Sequence, residues 1–387
     1  MQFRYHSMLK VLHITITFLI LSCSGDDNTN TTPTDPSTDP PPAEILALTE
    51  AANSPNQWHY VANEEMFSRA GNTTGYLANI NPNSTKLLLY LQGGGACYNQ
   101  ETCNDNNNSF TDADGEEFEQ NANQQSGVLF NRNFTGNAYR DWNYIFVPYS
   151  SGDVHSGNNS DGDVPNNGPQ DQKMVGYSNV TKIVEDALEY WGAQGITEFI
   201  VTGSSAGGYG TYLNFIQLAD AYPSAQKTAL VDAGPMFLND EVFDECLADV
   251  WNNLFKFQYP PDYQDVVQTQ FDEDLYGIYE YLALKYPNAN FGLMSDTRDA
   301  VIRFFFGYGN QECIGTTTPI STGQFENGLD QVRLHLENFE NWHVFFVDDD
   351  EHTFLGGRHL TTVVNGKNMA DWMEEVRNGE AADVFPN

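Results

Sequence analysis

The stretch Thr197-Glu-Phe-Ile-Val-Thr-Gly-Ser-Ser-Ala-Gly-Gly-Tyr-Gly210 decides the fold of this chain. It opens with an apolar and β-branched run over 199–202, which predicts a short buried strand. The glycine-rich turn 203–207 follows, and the run from Tyr209 to Ala219 then predicts a buried helix. A strand, a tight turn and a helix are therefore expected in this order, with Ser205 at the centre of a Gly-x-Ser-x-Gly pattern.

This arrangement is typical of the nucleophile elbow of α/β-hydrolases, in which a strained turn lifts a serine hydroxyl above the sheet. Gly203 and Gly207 flank the turn because side chains there would collide with the neighbouring strand and helix. The N-terminus of the following helix offers backbone N–H groups to a developing oxyanion. Ser205, rather than Ser204, is thus the candidate nucleophile.

Short apolar runs and helical patterns alternate on both sides of the elbow. They predict a mostly parallel sheet flanked by helices, an α/β-hydrolase-like fold with long surface loops and a helical insertion over 239–285. Strands are expected at 86–91, 142–148, 199–202, 291–295 and 342–347, with a further short strand and turn within 229–235, and helices at 178–192, 209–219 and around 369–376.

Two loops at the carboxyl ends of strands carry further candidates. The glycines of Gln92-Gly93-Gly94-Gly95-Ala96-Cys97 follow the strand at 86–91, where these hydrolases place the other half of the oxyanion hole. Asp153 and His155 follow the strand at 142–148. Because ligands bind at this edge of α/β sheets, both are candidate substrate-binding residues, with plain loop residues as the alternative.

A serine nucleophile needs a base to accept its proton, and the base needs an acid to hold its tautomer. His352 is the candidate base, because it follows the last predicted strand and stands among turn residues. His343 begins that strand and would lie at its wrong end, and His359 is held in reserve.

The position of the acid is less narrowly defined. Asp296 and Asp299 both follow the strand at 291–295, and Asp232 follows an earlier strand. The carboxylates at 348–350 are too close in sequence to His352 to reach around it easily. The residues alone therefore leave these aspartates as alternatives.

The charge balance of the chain limits its partners. The 387 residues include 53 acidic and 17 basic residues, a formal net charge of −36. Such a chain is not expected to bind nucleic acid or an anionic membrane surface, because phosphate binding needs clustered lysines and arginines. With 40% hydrophobic residues, the chain has enough apolar material for one large α/β domain.

The N-terminus resembles an export signal. Residues 1–23 combine a basic start, a short apolar run and Ile20-Leu21-Ser22-Cys23, which is similar to a bacterial lipobox with Cys23 as the lipidated residue. A buried N-terminal helix is the alternative. Residues 24–43 predict a disordered linker, and 44–387 the catalytic domain. We expect an outer-membrane or cell-surface lipoprotein that meets the membrane only through this anchor.

Four cysteines remain in the predicted domain, an even number that favours two disulfides in an exported protein. The preferred pairs are Cys97–Cys103 and Cys246–Cys313. No metal or other cofactor is predicted, because no histidine stands near these cysteines at the spacing of metal ligands. The acidic loop at 104–119 contains fragments similar to calcium loops, but a solvated loop is the favoured interpretation.

Several segments together resemble the pectin acetylesterase/Notum family of carboxylic ester hydrolases, over about residues 58–357. The resemblance implies Ser205 as nucleophile, His352 as base and Asp299 as the acid ahead of an apolar helical run. It also implies backbone N–H groups of Gly94, Gly95 and Ala206 as the oxyanion hole. The segments that carry it are Gly93-Gly94-Gly95-Ala96-Cys97-Tyr98-Asn99, Val147-Pro148-Tyr149-Ser150-Ser151-Gly152-Asp153, Val201-Thr202-Gly203-Ser204-Ser205-Ala206-Gly207-Gly208 and Val231-Asp232-Ala233-Gly234-Pro235.

The expected activity is hydrolysis of an ester through an acyl-enzyme on Ser205. An acetylated polysaccharide such as pectin is the expected substrate, and the enzyme is expected to be a monomer. A lipase-like or polyester-cleaving esterase is one alternative. The aromatic cluster 304–306 would then line a longer acyl pocket, although a place in the core is the favoured interpretation of these residues. A non-catalytic glycan-binding surface lipoprotein is the other. Retention of all three triad candidates argues against it, because a binding protein needs none of them.

Overall fold

Strands and helices alternate along the chain as the sequence predicts. The computed structural model describes residues 40–105, 119–120, 122–123, 127–238, 242–268, 275–309, 312–314 and 317–386. The strands are β1 His59–Phe67, β2 Thr73–Asn79, β3 Lys86–Leu91, β4 Asn143–Val147, β5 Asn159–Gly162, β6 Gln172–Met174, β7 Glu198–Ser204, β8 Gln226–Asp232, β9 Asn290–Asp296, β10 Trp342–Val347, β11 Val363–Val364 and β12 Lys367–Asn368. The helices are α1 Ala43–Asn53, α2 Gln100–Asp105, α3 Gly176–Trp191, α4 Ala206–Ala221, α5 Glu245–Phe255, α6 Tyr263–Val266, α7 Ile278–Lys285, α8 Ala300–Phe306, α9 Thr322–Leu336 and α10 Met369–Asn378.

Eight strands form the central sheet in the order β1-β2-β4-β3-β7-β8-β9-β10. The pairs from β4 through β10 are parallel, whereas β1 pairs with β2 and β2 with β4 in antiparallel fashion. The prediction of a mostly parallel α/β-hydrolase-like sheet is therefore confirmed. Because parallel strands share a carboxyl edge, the loops after β3, β7, β8, β9 and β10 meet at one end of the sheet.

Both faces of the sheet are covered, which explains the nearly unbroken apolar runs of its strands. Alternate strand residues point to opposite faces. Phe199 and Val201 of β7 join the core formed with helices α3 and α4, and Ile200 joins a second core with Trp372 and Met373 of α10. This packing supports the strands that carry the site at their carboxyl edge.

The edge hairpin of β1 and β2 was not among the predicted strands. Its register runs from His59 opposite Ala78 to Phe67 opposite Thr73 and is interrupted by an irregularity between Asn63 and Phe67. The polar residues within β1 break the alternation that predicts a strand. The predicted helical insertion contains α5, α6 and α7, separated by non-helical segments.

The four cysteines pair as predicted, Cys97 with Cys103 and Cys246 with Cys313. The first disulfide closes the loop after β3, and the second joins the first turn of α5 to residue 313. Within the described part of the chain, no helix is long and apolar enough to cross a membrane. Cys23, the signal and most of the linker lie outside the described residues, as does most of the acidic loop 104–119.

Candidate active site

Ser205 occupies the turn between β7 and α4 with φ 57° and ψ −120°. A positive φ is strained for a residue with a side chain, and such strain concentrates at functional sites. The Ser205 N–H donates to the Asp232 carbonyl at 2.8 Å. A Cβ on Gly203 would lie 2.5 Å from the Gly207 carbonyl, and one on Gly207 would lie 1.9 Å from the Leu91 carbonyl. The turn therefore requires glycine at both positions.

The structure brings His352 and Asp299 together from the loops after β10 and β9. The two side chains form a hydrogen bond of 2.7 Å between His352 Nδ1 and Asp299 Oδ2. Asp299 also caps α8, since its Oδ1 accepts from the N–H groups of Val301 and Ile302 at 2.9 Å each. An Nδ1–H that donates to a fully buried carboxylate leaves Nε2 as the basic nitrogen of the ring.

Asp296 has a different partner. Its carboxylate pairs with Arg358, with Nη1 2.8 Å from Oδ2 and Nη2 3.1 Å from Oδ1. Burial raises the pKa of Asp296 to about 6 despite this guanidinium. Of the aspartates that the sequence left open, the one bonded to His352 is Asp299.

Asp232, the remaining alternative, connects the elbow to the histidine loop. Its Oδ2 accepts from Ser204 Oγ at 2.6 Å, one residue before the nucleophile. The same carboxylate accepts from the N–H groups of Phe354 and Leu355 at 3.0 Å each. Burial raises the pKa of Asp232, while the hydrogen bonds it accepts oppose that shift. This residue positions the loop that carries His352.

The other two histidines lie elsewhere. His359 is buried, with Nδ1 3.2 Å from the Phe354 carbonyl oxygen, and burial lowers its pKa. His343 is the second residue of β10, at the end of the strand opposite the site, 3.8 Å from Asp383. Neither is hydrogen-bonded to one of the candidate triad acids in the described structure.

Residues 149–155 form hydrogen bonds that support the glycine loop after β3. Tyr149 N–H donates to Gln92 Oε1 at 3.0 Å, and its hydroxyl donates to the Gly95 carbonyl at 2.8 Å. Gly95 itself has φ 77°, a left-handed conformation that favours glycine. These contacts fix the backbone at Gly94 and Gly95, the predicted oxyanion donors. Ala206, the third, is the first residue of α4, where an N–H has no intrahelical acceptor.

Asp153 and His155, the predicted substrate-binding residues, lie in the loop after β4 with their side chains turned into the protein. Both side chains are buried, 0% and 2% exposed. Asp153 accepts from the Ser151 hydroxyl and the Gly176 N–H, and burial raises its pKa to about 6. His155 Nε2 donates to the Gln92 carbonyl at 2.8 Å, and burial lowers its pKa to about 4. The loop turns inward at Val154 and His155 and supports the glycine loop through the Gln92 carbonyl.

Val154, between these two residues, does face the site. It has φ 53°, which is a genuine outlier for a β-branched residue. Its carbonyl oxygen accepts from the Ser156 hydroxyl at 3.1 Å, and its N–H donates to the Tyr149 hydroxyl at 2.8 Å. The strained turn therefore aims a small apolar side chain at the pocket beside the elbow.

That pocket is narrow and apolar, with a volume of about 20 Å³. Phe305 and Phe306 contribute to its wall, and Phe306 is also part of the core. Trp251 of the helical insertion contributes another wall, a contact that no local sequence pattern indicates. The lining consists of Gly95, Ala96, Val154, Ser205, Ala206, Tyr209, Trp251, Ile302, Phe305 and Phe306.

In the described part of the chain, no group of three or more His, Cys, Asp or Glu side chains is arranged to hold a metal ion. The sheet edge that carries the Ser205 elbow instead carries a histidine–aspartate pair in the loops after β10 and β9, and α4 begins at the elbow with backbone N–H groups that have no acceptor within the helix. These are the parts of a nucleophilic serine site.

Known proteins resemble the chain in sequence and in fold. The mouse and human proteins named palmitoleoyl-protein carboxylesterase NOTUM are 27% and 26% identical to it over 190 residues, 48% of this chain and 36–37% of theirs. The matched region thus spans about a third of these relatives. The structure of the Wnt deacylase Notum from Drosophila superposes with a TM-score of 0.61 at 16% identity, covering 86% of this chain and 96% of that one, which shows the shared fold.

The family model named pectinacetylesterase matches residues 62–273, more than half of the chain. This range includes the glycine loop, the elbow and Asp232, whereas Asp299 and His352 lie beyond it. The predicted resemblance is confirmed: the chain belongs to the pectinacetylesterase family.

Proposed function

We propose that this chain is a serine carboxylic ester hydrolase that removes O-acetyl groups from a polysaccharide such as pectin. The observation that carries the proposal is the hydrogen bond between His352 and the buried Asp299, on loops that share the sheet edge with the Ser205 elbow. Membership of the pectinacetylesterase family and the carboxylesterase names of the relatives support it.

The geometry suits a two-step acyl transfer. His352 Nε2 accepts the proton of Ser205 as its Oγ attacks the ester carbonyl, and Asp299 stabilises the imidazolium that forms. The N–H groups of Gly94, Gly95 and Ala206 bind the oxyanion. The imidazolium then protonates the leaving sugar oxygen as the C–O bond of the ester breaks. His352 next deprotonates a water molecule, whose oxygen attacks the acyl carbon, and the imidazolium returns this proton to Ser205 Oγ as acetate leaves.

The size of the pocket supports an acetyl group as the acyl part. A cavity of about 20 Å³ is little more than the space that one water-sized sphere occupies. The methyl group of an acetyl ester fits such a space, whereas most of an octanoyl chain would lie outside it. A longer-acyl esterase is the second candidate, because the similar NOTUM proteins are named for a palmitoleoyl ester. It requires the aromatic walls of the pocket to move.

Hydrolysis of p-nitrophenyl acetate and p-nitrophenyl octanoate by the full chain, beside Ser205→Ala, tests the proposal. We expect strong preference for acetate and loss of activity in the variant. Octanoate preference supports the longer-acyl candidate, and activity that survives the substitution removes Ser205 from the mechanism. Absence of hydrolysis of both esters and of acetylated pectin supports the glycan-binding alternative.

The alcohol part of the substrate is tested with acetylated polymers. A chain of net charge −36 repels an anionic polymer such as pectin at low ionic strength. Acetate release from acetylated pectin should therefore rise with added salt, while release from a neutral acetylated xylan should not. Release from xylan alone, at every salt concentration, would contradict pectin as the substrate.

Export and lipid anchoring complete the proposal. We infer a signal at 1–23 with acylation of Cys23, a linker at 24–43 and a catalytic domain at 44–387. The two disulfides support an oxidising compartment. Incorporation of labelled palmitate into the wild-type chain but not into Cys23→Ser would support the anchor. Equal labelling of both would refute it.

A further inference from the structure

Behind the pocket beside Ser205 lies a second, smaller cavity of about 10 Å³. We propose that Trp251 is the wall between the two cavities and the residue that limits the acyl chain length of this enzyme. The inference rests on the proposed esterase function and adds the residue that sets its acyl specificity. The second cavity is lined by Phe243, Ala248, Trp251, Asn252, Phe257, Leu275 and Tyr276.

Trp251 is the one residue that contributes to both described linings. Its ring contacts Tyr209 and Phe306 of the first cavity, with centroids 5.8 and 6.2 Å away. It also contacts Phe243 and Phe257 of the second cavity, at 5.2 and 6.4 Å. The indole therefore lies between two groups of aromatic side chains, which also meet where Phe243 contacts Phe306 at 5.2 Å. A smaller side chain in place of the indole leaves more room on both sides of this contact.

The indole is held firmly in this position. Trp251 is 2% exposed and lies in the middle of α5. Asp244 caps the start of that helix by accepting from the Cys246 N–H at 2.9 Å, and Cys246 is bonded to Cys313. A helix fixed at its first turn and packed along its apolar face keeps the wall closed to longer chains.

Substitution of Trp251 breaks no side-chain hydrogen bond within the described structure. The indole Nε1 is buried and has no hydrogen-bond partner among the described residues. Replacing the ring by a smaller apolar side chain therefore leaves no acceptor unpaired, and the change is one of size. Most buried tryptophans differ, because their N–H is usually bonded.

The test is the acyl-length profile of full-length Trp251→Leu and of the milder Trp251→Phe. We expect the ratio of kcat/KM for p-nitrophenyl hexanoate to kcat/KM for p-nitrophenyl acetate to rise at least about tenfold in Trp251→Leu. A tenfold change is the smallest effect that one methylene group usually has in a hydrophobic pocket. Trp251→Phe, which removes less volume, should give a smaller rise. Adding Phe243→Leu to Trp251→Leu should extend the preference to a longer ester.

Phe325→Leu serves as the matched control, because Phe325 is a fully buried aromatic residue that lines neither cavity. It should leave the hexanoate-to-acetate ratio unchanged. If Trp251→Leu does not fold, as judged by circular dichroism, the ratio in Trp251→Phe decides. An unchanged ratio in a folded, acetate-hydrolysing Trp251 variant overturns the inference.

Failure of the underlying esterase proposal would look different. In that case neither the wild type nor any variant hydrolyses the esters or is labelled at Ser205 by an activated phosphonate. For an active enzyme, labelling gives a second readout of chain-length preference. Fluorophosphonates with ethyl and hexyl chains should label the wild type with a strong preference for ethyl, and Trp251→Leu with a reduced preference. The same ethyl preference in both proteins contradicts the wall function of Trp251.

Discussion

The Asp232 carboxylate accepts a hydrogen bond from Ser204 Oγ at 2.6 Å and thereby connects the residue before the nucleophile to the loop of the base. The other bonds to this carboxylate come from the backbone N–H groups of Phe354 and Leu355, two and three residues after His352. One buried acid thus connects the two loops that carry the candidate nucleophile and the candidate base, which are distant in sequence.

Asp232→Asn should therefore impair catalysis although Asp232 does not contact the base directly. An amide offers one acceptor oxygen instead of two, so at least one of these donors loses its partner, at a cost of about 1–3 kcal/mol. We expect kcat/KM for p-nitrophenyl acetate to fall about 10- to 100-fold. Asp220→Asn, at an exposed carboxylate bonded to Tyr286, should change neither activity nor stability. Wild-type kcat/KM in Asp232→Asn would contradict the positioning role.

Asp299→Asn should nearly abolish activity without unfolding the protein. Asparagine caps helices as well as aspartate does, so the bonds to Val301 and Ile302 are retained. The amide can no longer hold His352 in its catalytic tautomer, and kcat should fall about 10⁴-fold. Ester hydrolysis and thermal unfolding together measure the two effects.

Asp296→Asn is the matched comparison, three residues earlier. It weakens the pair with Arg358, whose guanidinium is partly exposed and keeps Asp349 as a second partner, so the free energy of unfolding should fall by no more than about 1–3 kcal/mol. Activity below the melting temperature should be far closer to that of the wild type than in Asp299→Asn. The reverse pattern, with Asp296→Asn inactive and Asp299→Asn active, would make Asp296 the triad acid.

His155→Phe should lower kcat and leave KM nearly unchanged. The phenyl ring can retain the packing on Tyr149, whose ring centroid lies 4.7 Å from that of His155. It cannot donate to the Gln92 carbonyl, and an unpaired buried acceptor costs about 1–3 kcal/mol, or roughly tenfold or more in rate if the oxyanion loop shifts. His155→Gln, which keeps an N–H donor, should lose less. A folded His155→Phe with wild-type kcat would show that this bond does not support the oxyanion loop.

Asp153 should make the stability of the protein depend on pH. Its pKa is raised from 3.8 to about 6 by burial, so the folded state binds the proton more tightly than the unfolded state. Its contribution to the free energy of unfolding therefore falls as pH rises through this window. Between pH 4.5 and 7, the wild type should lose about 2 kcal/mol relative to Asp153→Asn in denaturant unfolding. A constant difference would show that the Asp153 carboxyl titrates normally.

Local chemistry made the elbow predictable from sequence. The apolar run before Gly203 predicts a strand, and the steric demand at Gly207 excludes any side chain, so Ser205 could be located without spatial information. His352 could be located in the same way, because a residue after the last parallel strand lies at the carboxyl edge of the sheet.

Contacts between residues that are distant in sequence could not be predicted from such local patterns. Asp296 and Asp299 follow the same strand, and only the position of Arg358 and of the helix cap separates their partners. The inward turn that buries His155 requires two consecutive left-handed residues, which no local signal announces. Trp251 lies next to Ser205 only because the helical insertion folds over the site.

The central claim is that Ser205 accepts the acyl group, and covalent labelling tests it most directly. Diethyl p-nitrophenyl phosphate transfers a diethylphosphoryl group to an activated serine and releases p-nitrophenol. Peptide mass spectrometry of the full chain after this reaction should find the group on Ser205, with loss of ester hydrolysis in proportion to labelling and no labelling in Ser205→Ala. Modification of Ser204, or full inactivation with Ser205 unmodified, would contradict the account.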